Sequence, residues 1–441
     1  MMEKKLWDRF IRPSLLDKNW YKLDNAGKIY PALLSKRISS LFRISLNLKE
    51  PVSHPLLCRA VENTMPRFPY YQVSLRPGFF WYFLETNPRT PPVEADSLYP
   101  CVGFPLKKRG MFLFRIRIYK SRIALECSHI LTDGNGALTF LKTLTAEYLR
   151  LKGIPIEPDE EMGILKLNQK ANPEEFEDAF HKHFNKSIPE TSRSARAFHL
   201  TQKLIPPGHY NVTTGICSVL EVKAQAKKYG ISLSEFLIAQ LIDSFQDYMK
   251  GPQGKDRKKM PIRMNVPVNL RALYPTKSMR NFFLSVEPWI DPRLGHYEFK
   301  EICAKVHHYM RYEVDRKFLN QQITRNMKGE LNIINRLFPL HLKNMFMPSI
   351  YRILGENNYT SGFSNLGMIV LPNPMSEHIE SFDFYPPPST GNKIKCTALS
   401  YKNELRVSFG SLMKETEIER LFYTGLRQKE IRVRIESNRF Y

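Results

Sequence analysis

The fold of this chain is decided by residues 112–136, which read FLFRIRIYKSRIALECSHILTDGNG. Side chains of unlike character alternate over 112–119, and a period of two is typical of a strand with two different faces. After a turn near Lys120, apolar side chains return at every second position up to Cys127, so the segment predicts a β-hairpin. The return strand runs into a polar loop, and a helical stretch that Gly153 ends follows it. A strand, a loop and a helix in succession favour an α/β architecture.

The composition is that of a folded globular protein. The 441 residues carry 66 Lys and Arg against 43 Asp and Glu, a formal net charge of +23, with 42% apolar and 25% charged residues. At ~150 residues per domain, this length predicts two or three domains or one large two-lobed unit. No stretch approaches the ~18 consecutive apolar residues of a membrane span, and the first residues lack the apolar core of a signal peptide. Membrane-spanning, secreted, collagen-like and coiled-coil classes are therefore excluded.

The spacing of the six cysteines argues against a metal site. No two of them lie closer than 26 residues, so the sequence contains neither a CxxC pair nor a metal knuckle. Free thiols in a reducing compartment are the simplest interpretation, and we therefore expect a cytoplasmic protein. His129 and Asp133 have a spacing that can bind a metal on a helix, but they lack a visible third ligand, so we expect none.

Strand and helix signals alternate in both halves of the chain. The sequence predicts two α/β lobes, each a mixed β-sheet covered by helices, over residues 1–185 and 186–441. Ser232 and Glu235 form a capping box that predicts the start of a helix, and Gly230 ends the helix before it. The other predicted strands are 38–47, 79–84, 263–268, 282–289, 363–371, 394–400, 404–409 and 430–436, and the other predicted helical stretches are 55–66, 296–350 and 414–427.

The sharpest motif is His129-Ile-Leu-Thr-Asp133-Gly134, at the end of the return strand. It stands between a strand and the start of a helix, where α/β sheets place their ligands. Histidine is the one side chain whose unperturbed pKa, ~6.5, lets it accept a proton near neutral pH. His129 is therefore a candidate general base.

This motif resembles the active-site motif of the chloramphenicol acetyltransferase-like superfamily, which includes the condensation domains of non-ribosomal peptide synthesis. Three more segments resemble its bacterial alcohol acetyltransferase-like branch in the same order: NVPVNLR at 265–271, RNFF at 280–283 and SNLG at 364–367. Residues 67–87 and 431–439 fit that branch too, so the resemblance extends over nearly the whole chain. It implies two similar lobes with the active site in a channel between them.

The resemblance also implies roles for single residues. Its catalytic set here is His129, Asp133, Gly134 and Ser364, and its supporting set is Arg271, Asn281 and Asn365. Asp133 would pair with Arg271 and so aim the imidazole, rather than act as a third catalytic group. Gly134 would allow a tight turn and the close approach of a substrate. Ser364 would donate a hydrogen bond to the oxyanion of the tetrahedral intermediate.

The strong positive charge has several possible partners. A nucleic acid is disfavoured because the charges are spread along the chain and no RRM, zinc-finger or bZIP signature is present. Coenzyme A carries phosphates, and no Walker or GxGxxG loop is present to bind them, so basic side chains must do so. The densest run gives Lys255, Arg257, Lys258 and Lys259 as candidates. A net charge that only keeps the protein soluble is the other explanation.

The sequence thus predicts a monomeric acyltransferase that moves an acyl group from acyl-CoA, its co-substrate, to an alcohol or amine, with no permanently bound cofactor. Two alternatives stay open: a condensation enzyme that uses the thioester of an acyl-carrier protein, and a non-catalytic protein that binds an acyl or phosphopantetheine group. A serine hydrolase is disfavoured because the segment 362–367 is one residue too long for a nucleophile elbow. Met345 and Met347 are interpreted as packing residues or as part of an acyl pocket.

Overall fold

The structure is a computed structural model that describes residues 20–191, 195–251 and 260–439. It contains three β-sheets covered by helices, which confirms the predicted α/β class. The strands are β1 Trp20–Lys22, β2 Leu41–Leu48, β3 Val73–Pro77, β4 Tyr82–Thr86, β5 Val93–Ala95, β6 Phe114–Tyr119, β7 Arg122–Ser128, β8 Asn211–Ser218, β9 Ile262–Asn269, β10 Phe283–Val286, β11 Trp289–Ile290, β12 Ser361–Ile369, β13 Ile379–Tyr385, β14 Ile394–Tyr401, β15 Glu404–Ser411 and β16 Arg434–Ser437. The α-helices are α1 Tyr30–Leu33, α2 His54–Thr64, α3 Gly134–Leu151, α4 Ala179–His183, α5 Val219–Lys228, α6 Leu233–Lys250, α7 Phe299–Glu313, α8 Arg316–Leu331, α9 Ile333–Leu337, α10 Leu340–Leu354, α11 Asn373–Ser376 and α12 Glu417–Gln428.

The predicted hairpin lies within a five-stranded sheet of order β13–β2–β7–β6–β5. β6 and β7 pair antiparallel with Ile116 opposite Leu125, as the alternation predicts. β7 is buried along almost its whole length, because α3 packs against it and against β2. α3 begins only five residues after His129, at Gly134. The sheet and the helix therefore fix both ends of the loop that carries the histidine motif.

A second large sheet has the order β10–β9–β12–β14–β15–β8–β16, with β11 paired to β9. One of its faces carries Phe363, Cys396 and Ala398, which are all buried under α6, α7 and α12. The predicted capping box is present at the start of α6. The Ser232 hydroxyl accepts a hydrogen bond from the backbone N–H of Glu235 at 3.3 Å, and the Glu235 carboxylate accepts one from the Ser232 N–H at 2.7 Å.

One strand ties the two halves of the chain together. β13 comes from the second half, yet it pairs antiparallel with β2 of the five-stranded sheet, with Phe382 opposite Leu46. The division between residues 185 and 186 stays a prediction. Because β13 is hydrogen-bonded into the five-stranded sheet, the second half of the chain contributes a strand to that sheet and also forms the second large sheet.

The strand predicted over the aromatic run at 79–84 is present only from Tyr82 onward, and its first half is wrong. The N–H of Gly78 donates to the carbonyl of Trp81 at 2.9 Å, which closes a tight turn between β3 and β4. A Cβ at position 78 would lie 2.6 Å from that oxygen, so glycine is required there. Phe79 lies in the turn and is 76% exposed, and the strand begins only at Tyr82.

The helical stretch predicted at 296–350 is present as four helices, α7 to α10. Met345 lies on α10 and is 61% exposed, so its interpretation as a packing residue is wrong, whereas its place in an acyl pocket stays a prediction. Met347 is half-buried. Within the described ranges, no helix combines the length and the hydrophobicity that crossing a bilayer requires.

Candidate active site

His129 is the first residue after β7, and aromatic rings surround its imidazole. Its backbone N–H donates to the carbonyl of Ser40 at 3.0 Å, which anchors the start of the loop. The ring of Tyr30 stacks on the imidazole with centroids 5.3 Å apart and planes at 22°, and the rings of Phe42 and Phe283 lie 4.5 and 6.0 Å away. The side chain is half-buried. The rings therefore fix the imidazole without sealing it off.

Asn281 sets the tautomer of this imidazole. Its Nδ2 donates to the His129 carbonyl at 2.8 Å and to the Asp24 carboxylate at 3.0 Å. Because a carboxylate and a carbonyl only accept, these two contacts identify which end of the amide is nitrogen. The Asn281 Oδ1 then lies 3.4 Å from the His129 Nδ1 and accepts a long hydrogen bond from it. Nε2 is consequently the unprotonated nitrogen, free to take a proton from a substrate.

Asp24 anchors this arrangement from a segment that sequence reasoning did not single out. It is buried, and its carboxylate accepts from the backbone N–H of Gly27 at 2.6 Å and pairs with Arg280 at 3.4 Å. Arg280 also donates to the carbonyl of Lys22 at 2.9 Å. Buried ion pairs need such additional hydrogen bonds to offset their desolvation. No motif surrounds Asp24 in the sequence, so only its position in the fold reveals it.

The electrostatic environment keeps the imidazole neutral. Burial lowers the pKa of His129 to about 4. The Asp133 carboxylate and the hydrogen bond with Asn281 raise this pKa, and the positive charge of Lys395 lowers it. The lowering effects dominate, so His129 carries no charge at neutral pH. A neutral imidazole is the form that a general base requires.

Both carboxylate oxygens of Asp133 are occupied by the protein. Oδ1 accepts from the backbone N–H groups of residues 135 and 136, each at 3.1 Å, and so caps the N-terminus of α3. Oδ2 accepts from Nη1 of Arg271 at 2.8 Å and from the backbone N–H of Phe282 at 3.0 Å. Asp133 therefore ties the His129 loop to the segment that carries Asn281.

Two glycines at the start of α3 make room for neighbouring elements. At Gly134 a Cβ would lie 2.7 Å from Cδ2 of Leu366 in β12, and no left-handed backbone occurs there. The turn at Gly134 is therefore not of the kind that only glycine adopts, and its close neighbour is Leu366. At Gly136 a Cβ would lie 2.3 Å from Oγ1 of Thr132 and 2.4 Å from the carbonyl oxygen of Met279. Gly136, which the sequence did not single out, is the more constrained of the two.

The second sheet presents a polar face on the side away from its buried core. Gly362 pairs with Asn265 across β12 and β9, and Ser364 pairs with Thr397 across β12 and β14. Residues paired directly, and residues two apart on one strand, share a face. Lys395 precedes Thr397 by two residues, so it joins this set. Together with two residues of β10, these residues form a set that we call the polar face. Its members are Asn265, Phe283, Ser285, Gly362, Ser364, Lys395 and Thr397.

Two contacts and one electrostatic effect connect the second sheet with the His129 loop. The Phe283 ring lies 6.0 Å from the imidazole. Leu366, two residues beyond Ser364, is the neighbour that a Cβ at Gly134 would meet. The charge of Lys395 acts on the pKa of His129. The structure thus places the strand that carries Ser364 next to the loop that carries His129, although the two residues are 235 positions apart in the sequence.

The predicted residues Ser364 and Asn365 point to different surroundings. Ser364 is half-buried, and its hydroxyl forms no hydrogen bond with any residue that the structure describes, so it is free to donate. The Asn365 amide donates to the Ser234 hydroxyl of α6 at 2.8 Å and accepts from the N–H of Gly367 at 2.8 Å. Asn365 therefore supports an irregular part of β12 and does not join the polar face.

Lys395 was missed by sequence reasoning. Its ammonium donates to the Pro387 carbonyl at 3.1 Å. Burial lowers its pKa, and the Glu356 carboxylate partly opposes that effect. The alternation of residues along β14 assigns Lys395 to the same side as Thr397, but only the tertiary structure places it near His129.

The predicted coenzyme A residues Lys255, Arg257, Lys258 and Lys259 lie outside the described residues. One group of possible metal ligands is found in the described part of the chain, at Asp178, His181 and Glu330. The Glu330 carboxylate in this group already accepts from Lys28 and from Asn25. A lysine therefore neutralises the charge that would attract a cation.

Two cavities of about 700 and 500 Å³ open elsewhere. The first is bordered by the ends of β14 and β16, and the second lies between β2 and β16. Neither cavity is lined by His129 or by any residue of the polar face. We therefore do not assign a substrate to either cavity.

No family model matches the sequence, and no curated protein matches it significantly. Solved structures do match it, over nearly its whole length. TRI101 of F. graminearum, solved with coenzyme A and T-2 mycotoxin, has a TM-score of 0.60 at 11% identity, covering 94% of this chain and 99% of its own. TRI3 trichothecene 15-O-acetyltransferase of Fusarium sporotrichioides has a TM-score of 0.59 at 11% identity, covering 95% and 98%. The first condensation domain of the CDA synthetase has a TM-score of 0.55 at 12% identity, covering 93% and 95%.

These matches decide the fold. The chain has the chloramphenicol acetyltransferase-like fold. The two-lobed architecture that the resemblance implied is therefore confirmed. Within the chloramphenicol acetyltransferase-like fold of this chain, His129 lies where the loop after β7 meets the polar face of the second sheet. Because one fold hosts many reactions, such distant matches establish the architecture and not the substrate.

Proposed function

We propose that this protein is an acyltransferase that moves an acyl group from acyl-CoA to an alcohol or amine, with His129 as general base. The observation that carries the proposal is the hydrogen bond between Asn281 and His129 Nδ1, which leaves a neutral Nε2 available in a half-buried site. The surroundings of the ring support it, because burial lowers the pKa of His129 to about 4 and so favours the neutral imidazole at neutral pH.

The proposed reaction needs one base and one oxyanion donor. Nε2 of His129 takes the proton of the acceptor hydroxyl or amine while its oxygen or nitrogen attacks the thioester carbonyl carbon. The resulting oxyanion collapses, the carbon–sulfur bond breaks, and the imidazolium returns the proton to the departing sulfur. The free hydroxyl of Ser364 is our candidate donor to the oxyanion, a role worth about 2.7–4 kcal/mol of transition-state stabilisation in comparable sites. Asp133 and Arg271 would hold the loop without contacting the substrate.

The donor is proposed to be free coenzyme A thioester. TRI101 was solved with coenzyme A and a mycotoxin, and its fold matches this chain over 94% of the residues. The match to a condensation domain supports an acyl-carrier protein thioester as the second candidate donor. A protein that only binds the acyl or phosphopantetheine group is the non-catalytic alternative.

The release of free thiol separates these functions. Purified protein is incubated with acyl-CoA and a panel of alcohols and amines, and the thiol is measured over time. We expect release that depends on the acceptor and that falls by at least about 100-fold in His129→Ala. His308→Ala, an exposed histidine on α7, is the matched control and should keep full activity.

Three results would decide against the proposal in different ways. Unchanged turnover in His129→Ala would remove the mechanism. Release only from an acyl-carrier protein thioester would favour the condensation-type enzyme. Tight acyl-CoA binding without thiol release from any acceptor would favour the binding protein.

A further inference from the structure

Helix α10 is amphipathic in the reverse of the usual sense. Its inner side carries the polar residues Lys343, Asn344 and Tyr351, which are buried or half-buried. Its outer side carries large apolar residues that are 61%, 48%, 45% and 62% exposed, namely Met345, Phe346, Ile350 and Ile353. In an ordinary surface helix the apolar stripe faces the core and the polar side faces water.

Polar contacts on the inner side fix this orientation. The Lys343 ammonium donates to the Phe80 carbonyl at 2.9 Å and lies 3.4 Å from the centre of the Trp81 ring. The Asn344 amide donates to the Tyr82 hydroxyl at 3.0 Å. A rotation that buried the apolar side would break all three contacts. The apolar residues of α10 therefore point outward as part of the folded structure.

The exposed apolar surface continues onto α9, where Ile333 is 70% exposed and Leu337 is 59% exposed. We call Ile333, Leu337, Met345, Phe346, Ile350 and Ile353 together the apolar face. Phe79, 76% exposed in the turn before β4, borders it, because its carbonyl accepts from the N–H of Leu340 at 3.0 Å. Contiguous apolar surface of this kind marks an interaction site.

The charged side chains within the helical segment 331–355 are all basic, although Glu330 and Glu356 flank this segment directly. From residue 331 to residue 355 the sequence contains no Asp or Glu, and it contains three basic residues and one histidine. Arg336 and Arg352 are exposed, and neither is paired with a carboxylate in the described ranges of the chain. The whole protein adds a formal net charge of +23. An apolar partner that carries negative charge would therefore complement this face.

The apolar face is connected to the active site. α10 packs against α1, the short helix that begins with Tyr30. Tyr30 stacks on the imidazole of His129. A surface bound at α10 thus lies one helix away from the proposed general base.

We propose that the apolar face docks the protein on the surface of an anionic phospholipid bilayer. Amphipathic helices with apolar residues on one side and basic residues beside them bind in the plane of such surfaces, where apolar burial and attraction to anionic lipids act together. The helix lies on the bilayer and does not cross it. This inference concerns binding alone and stands whether or not the protein transfers acyl groups.

Co-flotation with lipid vesicles tests the inference. The full chain is mixed with vesicles of phosphatidylcholine alone or with about 30% phosphatidylglycerol, and the bound fraction is measured. We expect binding to the anionic vesicles that weakens as salt rises. In the triple variant Phe346→Ser, Ile350→Ser, Ile353→Ser we expect binding to fall by about tenfold or more, because the apolar contribution is lost at constant net charge. The matched control Leu220→Ser, Leu294→Ser removes two apolar residues that are 67% and 78% exposed elsewhere, and it should bind like the wild type.

A tryptophan substitution reports insertion directly. The fluorescence of Ile350→Trp should shift to the blue on anionic vesicles, whereas that of Leu294→Trp should not. Equal binding of the serine variant and the wild type would overturn the inference, because adsorption would then be purely electrostatic. Absence of binding to anionic vesicles would overturn it too. A dimer in light scattering that the serine variant converts to a monomer would assign the face to a second copy of the chain instead.

Discussion

The Oδ1 atom of Asn281 lies 3.4 Å from Nδ1 of His129, although the two residues are 152 positions apart. The same amide donates to the carbonyl of His129 and to the buried carboxylate of Asp24. Three segments thus meet at one imidazole, and its tautomer depends on a side chain from the second half of the chain.

Replacement of Asn281 by Ala should lower kcat by about 10–100-fold, the usual range for a residue that orients a functional histidine. The reason is that Nδ1 loses its acceptor and Nε2 is no longer fixed as the free nitrogen. Asn365→Ala, which removes an amide bonded to α6, is the control and should change kcat far less. Steady-state kinetics measure both. A full-rate Asn281→Ala enzyme would show that the tautomer is set by another contact.

Replacement of Asp133 by Asn should lower stability as well as rate. The new amide would place N–H groups against Arg271 or the Phe282 N–H, which now donate to Oδ2. Breaking a largely buried ion pair costs about 3 kcal/mol, and denaturant unfolding measures this cost. The double variant with Arg271→Met should recover part of it, because no buried charge is then left unpaired. A rate loss at full stability would instead identify Asp133 as a catalytic carboxylate.

The pH dependence of kcat/KM should have its acid limb near the lowered pKa of His129, about 4, and not near the ordinary value of ~6.5. Lys395→Met removes a positive charge that lowers this pKa, so the limb should move to higher pH. Asp133→Asn removes a negative charge that raises the pKa, so the limb should move to lower pH. Shifts of the same sign in both variants would contradict the assignment.

The same titration affects stability. The folded protein binds the His129 proton less readily than the unfolded chain does, since the pKa of His129 is lowered on folding. This contribution is therefore fully present above pH ~6.5 and is lost as the pH falls toward 4. Denaturant unfolding at pH 7 and pH 5 should show a smaller loss of stability in His129→Gln than in the wild type.

The two glycines of the loop should respond differently to alanine. Gly136→Ala should destabilise by about 1–3 kcal/mol, because the new methyl group would meet the backbone oxygen of Met279, which cannot move freely. Gly134→Ala should be milder, because its neighbour is the flexible end of Leu366. Thermal unfolding compares the two. Leu366→Ala should recover the loss at position 134 and leave the loss at position 136 unchanged.

The sequence determined the local structure well where one signal dominates. The alternation over 112–127 gives the β6–β7 hairpin, and the capping box at Ser232 gives the start of α6. Both depend on contacts within a few residues, which are the contacts that periodicity reports. The prediction of a strand over the whole aromatic run at 79–84 failed because periodicity does not report a backbone turn. The pattern of side chains cannot show that the backbone of Gly78 closes such a turn.

Only part of the candidate site could be predicted from the sequence. The motif around His129 indicates the candidate base, because few residue types accept protons near neutral pH. The burial that lowers its pKa, the amide of Asn281 that sets its tautomer, and the approach of Lys395 come from elements far apart in the chain. Their effects depend on distance through space and on exclusion of water, which sequence order does not encode. The outward apolar side of α10 is similar: its periodicity marks a stripe, and only packing decides whether that stripe faces the core or the solvent.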